Sequence, residues 1–321
     1  MDRRLERVQE FDFRSSSYII IITNKIIIMK NIITLCFLYL VFSCANPIEK
    51  EESHSPTNSL LPDLGLEDGI EIVTWNIENF PKLGQRTIDS VANIITSLNA
   101  DIYCLQEISN LSMFLELVEI LDGYSYVESN ATEYLNLVVL YKNNKFIVRS
   151  QSDLFSDNMY EFAYRPPLRL EMTFLGDSAI DFTLINMHLK CCDNGYDRRV
   201  ASASLLYDYL NSSVEAGVVH HIVVGDWNDD ISDQYSENSF NIFLDDTENY
   251  KYVTYENAHS GTNIHDSYPS YPSFIDHIMI SRDLFEQAEN GDVQTIRLGD
   301  YISGYDQIIS DHRPVVWRFT P

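Results

Sequence analysis

Six elements of this 321-residue chain each deliver a carboxylate, amide or imidazole at or near the end of an apolar run. "IVTWN" ends in Asn76, "IYCLQE" in Glu107 and "TLINMH" in His188. "IVVGD" ends in Asp226, with Asn228 two residues on, and "SFID" reaches Asp276. "SDH" sets Asp311 and His312 just before the last apolar run. Short β-rich apolar runs of this kind read as strands. One polar residue at a strand end is ordinarily a turn residue or a cap. Six together are hard to explain as punctuation, so any fold assigned to the chain has to account for them.

The rest of the domain supplies the frame. Between the first two strands, "RTIDSVANIITSLN" places Ile88, Val91, Ile94, Ile95 and Leu98 at helical spacing. "SMFLELVEIL" at 112–121 is a second helix, and "DRRVASASLLYDYLN" at 197–211 a third, with Val200, Ala203, Leu206 and Leu210 on one face. Further strands are expected at 124–128, 135–141, 145–150, 168–175, 180–187 and 221–227. The elements do not alternate βαβα, and neighbours such as 168–175 and 180–187 are close enough for hairpins. The pattern predicts a mixed or largely antiparallel pair of sheets with helices outside, in one domain over about 70–321.

Charge excludes one class of partner. The formal net charge is −26, so binding to nucleic acid by phosphate neutralisation over a broad surface is not expected. An acidic protein can still work on a phosphate if bound cations and a few local arginines supply positive charge. The five cysteines, Cys36, Cys44, Cys104, Cys191 and Cys192, include no CxxC pair, which removes the usual zinc-ribbon and thioredoxin-like patterns.

The N-terminal third of the first hundred residues reads as an address. In "MKNIITLCFLYLVFSC", residues 29–44, a lysine precedes an apolar run that is short for a membrane span. Its end, "LVFSC", resembles a bacterial lipobox. The resemblance implies a signal peptide at 29–43, cleavage before Cys44 and lipid on that cysteine. Residues 1–28 then precede a complete signal, and translation is expected to start at Met29. Residues 45–69 are polar, proline-containing and without periodicity, a flexible tether from the lipid on Cys44. The expected place is the bacterial cell envelope, with the membrane met only through the lipid.

The six strand-end groups suit metal-assisted hydrolysis of a phosphate ester. Asn76, Glu107 and Asp311 are hard oxygen donors, which favour magnesium or manganese over a soft metal. Such a cation polarises a phosphoryl oxygen and offsets charge on the leaving oxygen. His312 is a candidate general base, provided a carboxylate orients its other nitrogen, and Asp276 is the candidate orienter. Asp226 and Asn228 are candidates to hold the attacking water and phosphoryl oxygens.

The pieces "VTWNIENF", "YCLQEI", "NMHLK", "VVGDWND", "SFIDHIMIS" and "SDHRPV" occur in the order and rough spacing of the endonuclease/exonuclease/phosphatase superfamily. The resemblance covers residues 70–320 and implies a four-layer α-β-β-α sandwich of two sheets flanked by helices. By motif, Asn76, Glu107 and Asp311 resemble metal-site residues, His188 the histidine on the scissile phosphate, and Asp226 and Asn228 the GDxN pair. Asp276 and His312 resemble the orienting acid and the base. "YRPPL" at 164–168 resembles a segment whose arginine contacts phosphate, which makes Arg165 a candidate. Some members pair the histidine with a glutamate, for which Glu133 and Glu161 are both open.

The leading expectation is a magnesium-dependent, lipid-anchored nuclease acting as a monomer on DNA, with RNA left open as a further substrate and no protein partner implied. The alternatives are a phospholipid or inositol phosphatase or phosphodiesterase, and a binding module that kept the fold and lost the chemistry. Tyrosines 250, 252, 255, 268 and 271 are open to reading as a membrane-contact surface or as ordinary loop and core aromatics. The acidic stretch 226–249 lacks EF-hand spacing but leaves a structural calcium ion open. Cys191 and Cys192 read as structural, with a vicinal disulfide or a pairing with Cys104 as the oxidised options.

Overall fold

The computed structural model describes residues 61–131 and 134–321. The expected upstream segment, signal peptide and Cys44, the tether up to residue 60 and Glu133 lie outside these residues. The described chain forms two six-stranded sheets. The first has the order β11-β12-β1-β2-β4-β3, from β1 (Ile70–Phe80), β2 (Ile102–Ile108), β3 (Tyr124–Glu128), β4 (Asn136–Lys142), β11 (Asp292–Thr295) and β12 (Val315–Phe319). The second has the order β5-β6-β7-β8-β10-β9, from β5 (Phe146–Asp153), β6 (Leu168–Phe174), β7 (Ile180–His188), β8 (His221–Asp226), β9 (Tyr250–Tyr252) and β10 (Asp276–Ser281).

Each sheet is built round one parallel pair, β1 with β2 and β7 with β8, and its other pairings are antiparallel. The crossovers are helical: α1 (Gln85–Leu98) joins β1 to β2, and α3 (Tyr196–Glu215) joins β7 to β8. A third helix, α2 (Leu111–Ile120), follows β2. The expected mixed sandwich with outer helices is the observed architecture. Sequence periodicity missed the short strands β9 and β11, whose few residues carry too little alternation to register.

Alternation along the strands sorts side chains into three cores. Ile72, Cys104, Val139, Leu184, Val224 and Ile278 meet between the sheets. Val73, Trp75, Leu105 and Leu140 face α1, where Ile88, Val91, Ile95 and Leu98 cover them. Ile185, Met187, Val223 and Met279 face α3, against Ala203, Leu206 and Leu210. Burial on both faces explains why β1, β2 and β8 are apolar runs rather than alternating ones.

The same parity positions the polar strand ends. Asn76, Gln106, Asn186, His188, Asp226 and Asp276 each sit an even number of residues from an inter-sheet core residue, so they continue the inter-sheet layer at one edge. There the apolar layer becomes polar. Gln106 Nε2 donates to Asn186 Oδ1 at 2.7 Å, and Asn186 Nδ2 donates to the carbonyls of Leu105 and Val138 at 3.1 Å. This staple joins the two sheets. Gly225, with φ of +148°, lets β8 approach β7: a Cβ there would lie 1.9 Å from the Met187 carbonyl oxygen.

Candidate active site

Register brings the strand ends together. In the parallel pairs the carboxyl ends of β1 and β2 carry Asn76 opposite Gln106, and those of β7 and β8 carry His188 opposite Asp226. β10 runs antiparallel to β8, so its first residue, Asp276, is the partner of Asp226. β12 is antiparallel to β1, which puts Asp311 and His312, just ahead of it, at the same edge. The edge opens into a cleft of about 1480 Å³ lined by Glu107, Arg165, His188, Asp226, Asn228, Asp311 and His312.

The centre is a buried acid–imidazole pair. Asp276 Oδ2 lies 2.9 Å from His312 Nδ1, and His312 Nε2 points towards Asp226 Oδ2 at 3.9 Å and Asp311 Oδ1 at 3.9 Å. Burial opposes charge on His312, but Asp276, Asp226 and Asp311 outweigh it and hold its pKa up at about 10. Asp226 is pushed up to about 7 by burial and by the neighbouring Asp276 and Glu107, against the pull of His312 and Asn76. His188 goes the other way. Burial, Arg165, His312 and Lys190 all depress it well below the usual imidazole value, so it is neutral. Its Nε2 is 3.4 Å from Asp226 Oδ2 and 3.9 Å from Glu107 Oε1. Its buried Nδ1 has no partner among the described residues. Glu161 supplies no ion pair to it there; the carboxylates facing it are Asp226 and Glu107.

Asn76 departs from its expected part as an oxygen donor. Its Oδ1 accepts the Glu78 N–H at 3.0 Å, while its Nδ2 donates to Glu107 Oε1 at 3.2 Å and Asp226 Oδ2 at 3.0 Å. It spaces two carboxylates rather than adding a third oxygen. Arg165 is at the site, but Nε and one terminal nitrogen are spent on the carbonyls of His188 and Leu189 at 3.1 and 2.8 Å. It buttresses the end of β7 as well as facing the cleft. Asn228 is fixed by Asp226, whose Oδ1 accepts its N–H at 2.9 Å, and by the Leu189 carbonyl.

Strain is concentrated here. Of the eleven non-glycine residues with positive φ among the described residues, eight line the cleft: Glu78, Asn79, Glu107, Leu135, Ala163, Tyr164, Cys192 and Asn228. Each such conformation costs about 1–3 kcal/mol and persists only where its surroundings over-determine it. At Glu107 (φ 64°) the β2–β4 ladder is irregular, which releases this residue from the outward face that its odd position would give it.

Several residues that position His312 are not assigned that part by the sequence. Ser310 Oγ donates to the Asn76 carbonyl at 2.6 Å and accepts the His312 N–H at 3.0 Å, tying β1 to His312. Tyr305 donates to the His312 carbonyl at 2.5 Å and accepts from Trp75 Nε1 at 3.0 Å. Tyr268 packs its ring on His312, with centroids 4.9 Å apart. Ser310 lies inside the quoted "SDH" stretch; Tyr268 and Tyr305 have no local signal.

The donors fit a hard divalent cation. Asp226, Asp276 and His312 offer ligand atoms within 4.8 Å of one another. Asp276 and His312 are spent on each other, however, and a charged His312 has no lone pair to give. The better oxygen donors are Glu107 and Asp311, with side chains 16% and 29% exposed and no Lys or Arg partner among the described residues.

The remaining sequence candidates resolve separately. Tyr250 and Tyr252 are buried in the α3 core, which removes them from any membrane surface. In the acidic stretch, Asp229 pairs with Arg199 at 3.3 Å and accepts the Ser239 N–H, and Asp230 accepts those of Ser232 and Phe274. Those two carboxylates brace turns. Cys104 is a free thiol buried between the sheets, and Cys191 and Cys192 are free thiols at the cleft with their Sγ atoms 2.8 Å apart. Arg199 donates to the carbonyls of Lys190 and Cys192, both at 2.9 Å, which holds the cysteine turn.

The model of the Endonuclease/Exonuclease/phosphatase family matches residues 73–312. The chain belongs to this family. It is therefore of a fold class whose members hydrolyse phosphoester bonds. Solved family structures share its fold at low identity. A Bacteroides thetaiotaomicron family protein is 17% identical with a TM-score of 0.57, over 78% of this chain and 94% of that one. TDP2 of D. rerio, complexed with single strand DNA product, is 14% identical with a TM-score of 0.61, over 79% and 100%. A mannosyl-6-phosphatase of B. thetaiotaomicron is 18% identical with a TM-score of 0.55, over 77% and 98%. No curated protein is significantly similar to the chain in sequence.

Proposed function

We propose that the chain is a metal-dependent phosphodiesterase, a nuclease that cuts DNA and also accepts RNA. The observation that carries this reading is the Asp276–His312 pair at 2.9 Å, aimed at Asp226 on the floor of an open cleft. Asp276 holds the imidazole so that Nε2 faces the cleft. Nε2 takes the proton of a water held by Asp226 and Asn228, and that water attacks phosphorus in line with the leaving oxygen. Neutral His188 donates to a phosphoryl oxygen, with Arg165 adding positive charge beside it. Glu107 and Asp311 would hold a magnesium or manganese ion, and Asn76 keeps Glu107 apart from Asp226. When bound, the cation polarises a phosphoryl oxygen, offsets charge on the leaving oxygen and opposes protonation of His312.

Nucleic acid is preferred as substrate because the cleft is large, about 1480 Å³, and because a fold neighbour holds a single-strand DNA product. The test is a panel of duplex DNA, single strands, RNA, a phosphorylated sugar and sphingomyelin with the purified domain, in magnesium, manganese or EDTA. Preference for the sugar monoester or the lipid would sink the nuclease reading.

We further propose that Cys44 carries lipid and anchors the domain to the bacterial envelope. The support is the lipobox-like "LVFSC" followed by a polar tether. Intact mass of the mature chain tests it: a protein that begins upstream of Cys44 or lacks acyl mass there refutes the anchor.

A further inference from the structure

The chain holds 48 acidic and 22 basic residues, and eight of the fifteen Lys and Arg side chains among the described residues pair with a carboxylate. Three of the others share one wall of the cleft. Arg165, Lys190 and Arg198 all line it, and none has a carboxylate partner within ion-pair distance among the described residues, whereas the adjoining Arg199 is paired with Asp229 at 3.3 Å. Burial holds the Arg165 pKa below its usual value, Asp226 and Glu107 oppose that, and Arg198 adds a smaller push in the same direction as burial.

Arg198 is propped rather than neutralised. Its guanidinium lies 4.2 Å from the centre of the Tyr160 ring and 5.8 Å from that of Tyr164, and one terminal nitrogen donates to the Tyr160 carbonyl. Its buried Nε has no partner. Both tyrosines leave more than half their surface to solvent, at 58% and 60%. An oriented guanidinium with spare donors suits a phosphate, and an exposed ring beside it suits the face of a base.

We infer that this wall is a second anion subsite, which takes a phosphate neighbouring the scissile one while Tyr164 supports the adjoining base. This rests on the nuclease reading and narrows it: the substrate is a strand carrying at least two phosphates. A sugar monophosphate leaves the wall empty. A choline phosphodiester brings its quaternary ammonium towards three cations, which repel it.

The test compares kcat/KM for a single strand of about ten nucleotides, within the usual groove site size, with that for a dinucleoside monophosphate, which has one phosphate. In the wild type the strand is preferred. Arg198→Ala lowers the ratio of the two by about tenfold, the scale of one charge-assisted contact. Arg198→Lys restores part of it, and Tyr164→Ala lowers it while keeping the charge. A ratio unchanged in both Arg198→Ala and Tyr164→Ala overturns the subsite. A wild type that cleaves neither substrate overturns the nuclease reading, and the subsite with it.

Discussion

Asp276 and His312 come from different strands, β10 in one sheet and the approach to β12 in the other, yet their side chains meet at 2.9 Å. The pair is therefore assembled across the sandwich. Replacing Asp276 with Asn keeps the shape and removes the charge that fixes the imidazole. The expected loss in kcat is on the order of 10²–10⁴, the usual span of general-base catalysis. His312→Ala loses at least as much. By NMR titration of the metal-free protein, Asp276→Asn also lowers the His312 pKa from its raised position near 10. A Asp276→Asn variant with wild-type kcat removes the dyad from the mechanism.

Metal dependence tests Glu107. EDTA should abolish turnover, with magnesium or manganese restoring it. Glu107→Gln keeps the bond from Asn76 Nδ2 to its Oε1 (3.2 Å) but removes the charge. Its magnesium dissociation constant, from calorimetry, should rise at least tenfold, a loss of about 1.4 kcal/mol. Equal affinity in variant and wild type would place the ion elsewhere.

Two buried groups far from the cleft set the pH range of stability. Burial and Asp101 push Glu71 up from 4.5 to about 8. The folded chain thus keeps a proton that the unfolded chain releases above pH 4.5, and this contribution is full below 4.5 and fades as the pH rises through 8. Burial and Arg169 push His221 down from 6.5 to about 4. The unfolded chain there binds the extra proton, so stability is lost as the pH falls from 6.5 towards 4. Urea midpoints across pH 4–9 should fall at both ends. Glu71→Gln flattens the alkaline limb only, and an alkaline limb that persists in that variant assigns it to another group.

The Gln106–Asn186 staple makes a stability prediction. Both side chains are fully buried. Asn186→Leu leaves Gln106 Nε2 its bonds to Thr74 Oγ1 and the Cys104 carbonyl but removes the donor to the carbonyls of Leu105 and Val138. The loss should be about 2–4 kcal/mol by chemical denaturation, because unmet buried polar groups cost about 1–3 kcal/mol each with partial relaxation. A loss below 0.5 kcal/mol would make the staple incidental.

The cysteines can be counted directly. Native alkylation should label Cys191 and Cys192, which line the cleft, and spare Cys104 until the protein unfolds. Mass spectrometry showing no label on the adjacent pair would mean they are oxidised in the isolated protein.

The fold was largely legible because its strands are long, apolar and flanked by turn signals. The helix over Ile88, Val91, Ile95 and Leu98 was visible for the same reason: these residues repeat at helical spacing and pack against β1. The site was legible in outline because each group ends such a strand. What remained hidden depends on orientation. That Asn76 turns its nitrogen to Glu107 follows from the Glu78 backbone, at a bend that periodicity does not report. Two-residue parity could have found Gln106 and Asn186, which continue the inward faces of β2 and β7. Tyr268 and Tyr305 reach His312 only through tertiary packing, and nothing near them in the chain says so.

The order of the strands has a consequence for how the protein comes into being. The whole second sheet, β5 to β10, is inserted between β4 and β11, and β12 returns to pair with β1. A ribosome therefore delivers Asn76, Glu107, His188, Asp226 and Asp276 before it delivers His312. Until the last strand docks, the nascent chain lacks both Asp311 and His312, so the cleft stands without its last acid and its paired imidazole, and a chain cut short before residue 311 stays without them.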